Sequence, residues 1–295
     1  MIMLIGSQED PTMLYFKEFL ESKEAKYFFL DQHLLSQDKI NLFSDHLTSQ
    51  NSKHYYAEFS GALNRMSYAD LTGLSSLAIS KEQRLATMLN YIVTYKIKNV
   101  LNQSYFSISN DSKLLQLELI RNHIKHIKVP ESIVLKNVII DDTLKQNSKF
   151  STHIVKSLSS IRSIVKIFEG NDADFAMKKS YEPVMFQQYL EGINVRVHVV
   201  GQDTCAIKIY SNTVDYRYEN TLIKFEHTSL PKDIEQECLQ IAEVLNLKFA
   251  GIDLLLTHCG QYYVFEVNPS PGYSYFEKGI DSKFISEKIL QILSI

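Results

Sequence analysis

Asp253, Glu266 and Asn268 are the side chains whose types and spacing most directly suggest chemistry. They lie in Gly251–Gly272, which reads GIDLLLTHCGQYYVFEVNPSPG. Two apolar runs, Gly251–Thr257 and Tyr262–Asn268, flank a short turn at Cys259 and Gly260, the pattern of an antiparallel hairpin. Folding about that midpoint sets Asp253 opposite Glu266, and alternation keeps Asn268 on the same face. Opposed carboxylates repel unless something positive sits between them. A hard divalent cation such as Mg2+, which takes oxygen ligands, is one answer. A solvated face is the other, because Asp and Glu are common outside and rare in buried strands. Pro269-Ser-Pro-Gly272 ends the segment as a stiff turn.

The elements that must hold this hairpin follow from periodicity. Ile2–Ile5, a helix over Thr12–Ser22 and Tyr27–Leu30 form a strand–helix–strand start, which predicts an α/β domain with a parallel sheet. Gly6 has no GxGxxG companions, so no dinucleotide fingerprint is present. Residues 31–53 are polar and ambiguous, and Tyr55–Phe59 reads as a further strand. A long helix is expected from Ser80, where Ser80 and Gln83 have capping-box spacing. Residues 99–112, rich in Asn and Ser, read as a domain boundary, with Asn110 or Asp111 capping the next helix. Further on, short strands are expected at Ile133–Leu135 and Thr152–Lys156, with a short helix at Val138–Lys145 between them. Val195–Val200 and Thr204–Tyr210 make a hairpin about Gly201-Gln202-Asp203. Helices follow Leu230-Pro231 and span Ser282–Leu293.

Composition narrows the class of function. The 295 residues are 45% hydrophobic, enough for a large core or two to three small domains. The net charge of −3 gives no basic footprint, so nucleic acid is not an expected partner. Three widely spaced cysteines, Cys205, Cys238 and Cys259, suggest neither a disulfide scaffold nor a zinc knuckle. The N-terminal apolar run is too short for a signal peptide and no stretch reaches spanning length, so no membrane role and a reducing cytoplasm are expected.

From about Ser107 to Ser286 the chain resembles the ATP-grasp ligases, in which an Asp precedes an acidic, Asn-terminated strand. It is most similar to the branch of ribosomal-peptide-modifying (microviridin or graspetide type) ligases and amino-acid ligases. The resemblance implies a fold with an N-terminal parallel-sheet α/β domain over 1–104, a central lobe over 105–186 and a C-terminal antiparallel-sheet lobe over 187–295. It implies ATP and two magnesium ions, with manganese able to substitute, held by Asp253, Glu266 and Asn268. Lys113 and Lys156 resemble the two phosphate lysines; triphosphate brings several negative charges, which lysines from two elements can offset. Taken alone, either is also compatible with an ordinary surface lysine. Ser157-Leu-Ser-Ser-Ile-Arg162 stands where many relatives have a glycine-rich phosphate loop, a departure that implies a stiffer loop. Phe186-Gln-Gln-Tyr-Leu-Glu191 resembles the linker between lobes, which makes Gln187, Gln188, Tyr189 and Leu190 adenine candidates and Glu191 the ribose candidate. Without the resemblance the stretch reads as a strand and turn. Asn194-Val-Arg196 and Asp215-Tyr-Arg217 resemble arginine elements of the peptide-modifying branch. Arg196 and Arg217 are thereby placed on the terminal phosphate or acyl phosphate and Lys208 near phosphates or adenine, with structural salt bridges as the alternative. Asn64-Arg65 is a weaker candidate for holding a substrate carboxylate, a capped loop being the alternative.

The implied reaction makes an acyl phosphate and ADP, then an amide or ester, and needs no Ser or Cys nucleophile. The expected substrate is a ribosomal precursor peptide crosslinked at Asp or Glu side chains. Joining a free amino acid to a small molecule or protein tail is the alternative, and a non-catalytic nucleotide-binding regulator is the third reading. Self-association is left open.

Overall fold

A computed structural model describes residues 1–37, 39–49, 52–66, 76–101, 112–135, 152–156, 158, 166–168, 183–211 and 223–295. The expected helix at Val138–Lys145, the caps Asn110 and Asp111, the loop at 159–162 and Arg217 lie outside the described residues.

The N-terminal domain is built on β1 (Ile2–Gly6), every residue of which is buried. A strand covered on both faces is a continuous apolar run, as a parallel sheet requires. Helix α1 (Pro11–Ser22) leads from it to β2 (Tyr27–Asp31). Asp10 starts that helix by accepting from the Thr12 and Met13 amides at 2.8 and 3.3 Å. With β6 (Gly61–Asn64) and β7 (Asn99–Leu101) the parallel sheet runs in the order β2-β1-β6-β7. The direction of winding therefore switches between β1 and β6, whose carboxyl ends are Gly6 and Asn64.

Two expectations in this domain are corrected. Tyr55–Phe59 is no strand: Tyr56–Glu58 is a 3-10 turn, which puts Tyr56 and Phe59 on one side, both buried. The polar stretch before it forms a small antiparallel sheet, β3 (Ile40–Leu42), β4 (His46–Ser49) and β5 (Ser52–Tyr55). Only one face of that sheet meets the core, through Ile40 and Leu47. After a short helix α2 (Gln32–Ser36), helix α3 (Ser76–Tyr91) already includes Ser80, so Ser80 lies inside it and is not its cap.

Helix α4 (Lys113–Arg121) is capped by Ser112, whose hydroxyl accepts from the Leu115 amide. The central sheet has the order β10-β9-β11-β8, from β8 (Ser132–Leu135), β9 (His153–Lys156), β10 (Lys166–Phe168) and β11 (Val184–Gln188). Its described core is small: Val155, Val184 and Phe186.

The C-terminal sheet is antiparallel, with β12 (Gly192–Val200), β13 (Asp203–Tyr210), β14 (Lys224–Thr228), β15 (Phe249–Thr257) and β16 (Tyr262–Asn268) in the order β14-β13-β12-β15-β16. Gly201 takes φ +64° in the β12–β13 turn, a conformation that favours glycine. One face carries Val195, Val197, Val199, Ile252 and Leu254 and is covered by α5 (Lys232–Val244) and by Ile120 of α4. The other face joins the N-terminal sheet in one core. Val200, Ile207 and Phe249 meet Ile2, Leu4 and Leu63, with Ile285, Ile289 and Leu293 of α7 (Phe284–Leu293) among them. Each such side chain contributes about 1.5–3 kcal/mol relative to exposure. A short helix, α6 (Ser274–Gly279), links β16 to α7. No helix among the described residues is long and apolar enough to cross a membrane.

Candidate active site

The site begins with the hairpin of β15 and β16. Asp253 stands opposite Glu266, and Gly251 opposite Asn268. Between Asp253 and Leu254 the register shifts, because Leu254 pairs with Val264 and Phe265 is left over. This bulge lets Val264 and Val267, three residues apart, share the buried face while Glu266 and Asn268 stay on the other. Among the described residues no three acidic, His or Cys side chains converge on one point. The oxygen set is two carboxylates and the Asn268 amide.

Three cations surround it. Arg196, opposite Asp253 on β12, donates from Nη1 to Asp253 Oδ1 at 2.6 Å. Its guanidinium is buried and lies over the Phe276 ring at 5.6 Å. Asn268 Nδ2 donates to the second oxygen, Oδ2, at 3.2 Å, which turns its own carbonyl away from Asp253. Lys113, buried at the start of α4, sets Nζ 3.6 Å from Glu266 Oε1. Lys156, at the end of β9, holds Nζ 4.7 Å from the Phe265 ring centroid. The Leu158 carbonyl accepts from the Lys113 amide at 3.1 Å, so the chain leaving Lys156 docks on the start of α4.

The linker contributes a different chemistry. Gln187 is fully buried on the same face of the central sheet as Lys156, which register pairs with its neighbour Met185. Its Nε2 donates to Ser132 Oγ at 3.3 Å, while its Oε1 has no partner among the described residues. A buried orphan acceptor is costly unless a donor arrives. The amides of Gln188 and Tyr189 already donate to the Glu131 and Thr152 carbonyls at 2.9 and 3.2 Å. Gln188 pairs with His153, on the face opposite Gln187. Leu190 is half-buried and Glu191 exposed.

One expected residue does not join the cluster. Lys208 pairs with Val195 and shares the face of Ala206, opposite to Arg196 and Asp253, because Ile207 is the residue that faces Arg196. Arg217 lies outside the described residues. Arg65 of the N-terminal domain reaches the C-terminal turn: Nε donates to Asp10 Oδ2 at 2.9 Å and Nη1 to the Pro271 carbonyl at 2.7 Å.

Sequence reasoning missed three supporting residues. Gly251 lies beneath Arg196; a Cβ built there would stand 2.6 Å from Arg196 Cζ and 2.6 Å from Pro271 Cβ. His198 is fully buried beside Arg196, whose Nε points to His198 Nε2 at 3.5 Å. Burial first, and the Arg196 charge second, hold its pKa well below the ordinary value, so the ring is neutral. Its Nδ1 has no hydrogen-bond partner among the described residues. Gln116 binds the backbone of β16 from α4. None of these carries a signal in one sequence, since buried Gly, His and Gln are ordinary residues.

Lysines and arginine offset phosphate charge, hard oxygens suit a divalent cation between the phosphates, and the orphan amide oxygen suits a purine amine. The residues therefore fit a magnesium-bound adenine nucleotide. Cys205 and Cys238 are buried and Cys259 sits in the far turn of the hairpin, so none is placed as a nucleophile.

Residues 108–293 match the RimK-like ATP-grasp domain. Over the whole chain the fold is similar to the macrocyclase MdnC from Microcystis aeruginosa, solved with its precursor peptide MdnA: TM-score 0.81, 20% identity, 99% of each chain. It is also similar to the ATP-grasp ligase PsnB, solved with a phosphomimetic variant of a minimal precursor, Mg and ADP: TM-score 0.78, 19% identity, 99% of this chain and 98% of that one. At such identities the likeness speaks to the fold. A mouse protein, N-acetylaspartylglutamate synthase A, is 28% identical over 101 residues, which are 32% of this chain and 27% of that relative's length.

Proposed function

Since the chain belongs to the RimK-like ATP-grasp ligase family, we propose that it joins a substrate carboxylate to an amine or hydroxyl through an acyl phosphate, forming ester or amide crosslinks in a ribosomally made peptide. The observation that carries this reading is the gathering of Lys113, Lys156 and Arg196 around Asp253, Glu266 and Asn268. The working division is a substrate-side domain over 1–104, a central lobe over 105–186 and a C-terminal lobe over 187–295.

Asp253, Glu266 and Asn268 would hold magnesium, two ions with manganese as a substitute, which supplies charge neutralisation at the phosphates. Lys113 and Lys156 neutralise the rest of the triphosphate from two different elements. The Gln187 Oε1 acceptor takes the adenine amine, and the Leu190 amide with the linker carbonyls meets the remaining purine edge. Glu191 is the residue assigned to the ribose. A substrate carboxylate oxygen attacks the γ-phosphorus, the bridging P–O bond breaks and ADP leaves. Arg196, fixed by Asp253, presents its guanidinium to the transferring phosphoryl group, a role assigned to Arg217 as well. A hydroxyl or amine of the substrate then attacks the acyl carbon, its proton passing to solvent, and phosphate leaves.

Arg65 is assigned to the substrate carboxylate. The Asp215-Tyr-Arg217 element and the full-length likeness to two ligases solved with precursor peptides favour a peptide substrate. A specific observation keeps a second reading, an amino-acid ligase: the mouse relative is named for such a synthase.

Mass spectrometry separates these. The protein is incubated with ATP, Mg2+ and either an acidic peptide encoded beside its gene or pooled amino acids. Loss of one water per linkage on the peptide supports crosslinking, and gain of an amino-acid residue supports the alternative. ATP binding with neither mass change nor ADP would leave a nucleotide-binding regulator.

A further inference from the structure

Among the described residues, strand β16 is the outer strand of its sheet, so one row of its backbone groups has no strand partner there. Part of that row is met by main chain. The Lys128 amide donates to the Tyr262 carbonyl at 2.8 Å, and the Val264 amide donates to the Lys128 carbonyl at 2.9 Å. Past the bulge at Phe265 a single side chain takes over. Gln116 Nε2 donates to the Val267 carbonyl at 2.9 Å, and the Val267 amide donates to Gln116 Oε1 at 2.7 Å. The amide group thus pairs with Val267 as a neighbouring peptide unit would. Gln116 is 1% exposed, so water does not compete for either bond.

The position of this clamp relates two parts of the site. Val267 lies between Glu266 and Asn268. Gln116 lies one turn after Lys113, on the same side of α4. The clamp sets the height of α4 along β16, and that height sets Lys113 Nζ against Glu266 Oε1 at 3.6 Å.

We infer that Gln116 is a positioning residue that locks the phosphate lysine Lys113 and the metal carboxylate Glu266 into one rigid unit, so that magnesium and nucleotide are bound as a pair. The inference rests on the nucleotide reading above and assigns to Gln116 no contact with the ligand.

The test uses the whole protein. Exchange of the Val267 amide is followed in the free protein, and binding of a fluorescent ADP analogue is followed against Mg2+ concentration. Gln116→Met keeps shape and removes both hydrogen bonds; Gln116→Glu keeps the acceptor for the Val267 amide and loses the donor. Glu118→Gln, exposed on the same helix, is the control. Gln116→Met is expected to deprotect Val267 and to raise the half-saturating Mg2+ for nucleotide binding about tenfold. Gln116→Glu gives a smaller rise and carries the test if Gln116→Met does not fold. A lower melting temperature with an unchanged Mg2+ midpoint would make the clamp merely structural and overturn the inference, as would unchanged protection of Val267. If the wild-type protein binds no nucleotide at any Mg2+, the nucleotide reading itself fails; if it binds and the Gln116 variants match it, only the role of Gln116 fails.

Discussion

The Arg196 guanidinium rests on the bare Cα of Gly251, in a space that any Cβ would occupy. Gly251 and His198 are partners in register on adjacent strands, so the arginine is held from below by a missing side chain and from the side by a neutral ring. Asp253, two residues along the strand from Gly251, completes the seat with its 2.6 Å bond. A charge buried this deeply keeps its direction only if every neighbour leaves it one orientation.

Gly251→Ala tests that seat. The methyl group must displace Arg196 or the Pro271 ring, and such overpacking costs about 1–3 kcal/mol. ADP release is expected to fall about 100-fold or more, with a melting point lowered by a few degrees. Full turnover in this variant would show that Arg196 is not held by Gly251.

Glu266→Gln removes a charge facing Lys113 and one proposed metal oxygen. Half-saturating Mg2+ for ADP formation should rise at least about tenfold, the usual scale for loss of one charged ligand contact. Chelation of Mg2+ from the wild-type protein should abolish ADP formation, and restored Mg2+ should return it. Both are read by a coupled ADP assay; turnover that ignores chelator excludes the metal role of this hairpin.

Stability should decline on the acid side through His198. Its folded pKa is depressed, chiefly by burial, whereas the unfolded ring protonates near pH 6.5. Below about pH 6.5 the unfolded state binds the extra proton, so stability falls as pH falls toward the folded pKa and is flat above. His153 is lowered by burial too and adds with the same sign. His198→Asn should remove up to about 1.4 kcal/mol per pH unit from that slope in urea melts between pH 5 and 7. An unaltered slope would mean that another group carries the acid sensitivity.

Arg65→Ala separates substrate from nucleotide. The variant loses its bonds to Asp10 and Pro271, at an expected cost of about 1–3 kcal/mol. KM for the peptide should rise about tenfold or more while binding of the ADP analogue is unchanged. A rise confined to ATP would move Arg65 to the nucleotide side.

The β15–β16 hairpin was readable because its apolar runs are symmetric about Cys259 and Gly260, which fixes Asp253 against Glu266. Its bulge was not readable, since Phe265 carries no Gly or Pro mark. The parallel sheet showed in the continuous apolar run of β1. The strands β3, β4 and β5 stayed hidden because each buries a single face through few residues. Alternation counted along β13 did not show its parity relative to β12; the two-residue turn at Gly201 makes Ile207 the partner of Arg196 and turns Lys208 away. Gln116 and Val267 are 151 positions apart, and nothing in a helical glutamine names a distant carbonyl as its partner.

The core shared by the N-terminal and C-terminal sheets also orders events at the ribosome. Strands β1 and β6 are made long before α7, yet Ile285, Ile289 and Leu293 pack in the same core as Ile2, Leu4 and Leu63. Ser60 even donates its hydroxyl to the Leu293 carbonyl at 2.7 Å. The β1–β6 part of the chain therefore waits with one apolar face uncovered until α7 emerges, and during that interval the nascent chain is a client for whatever shields such faces.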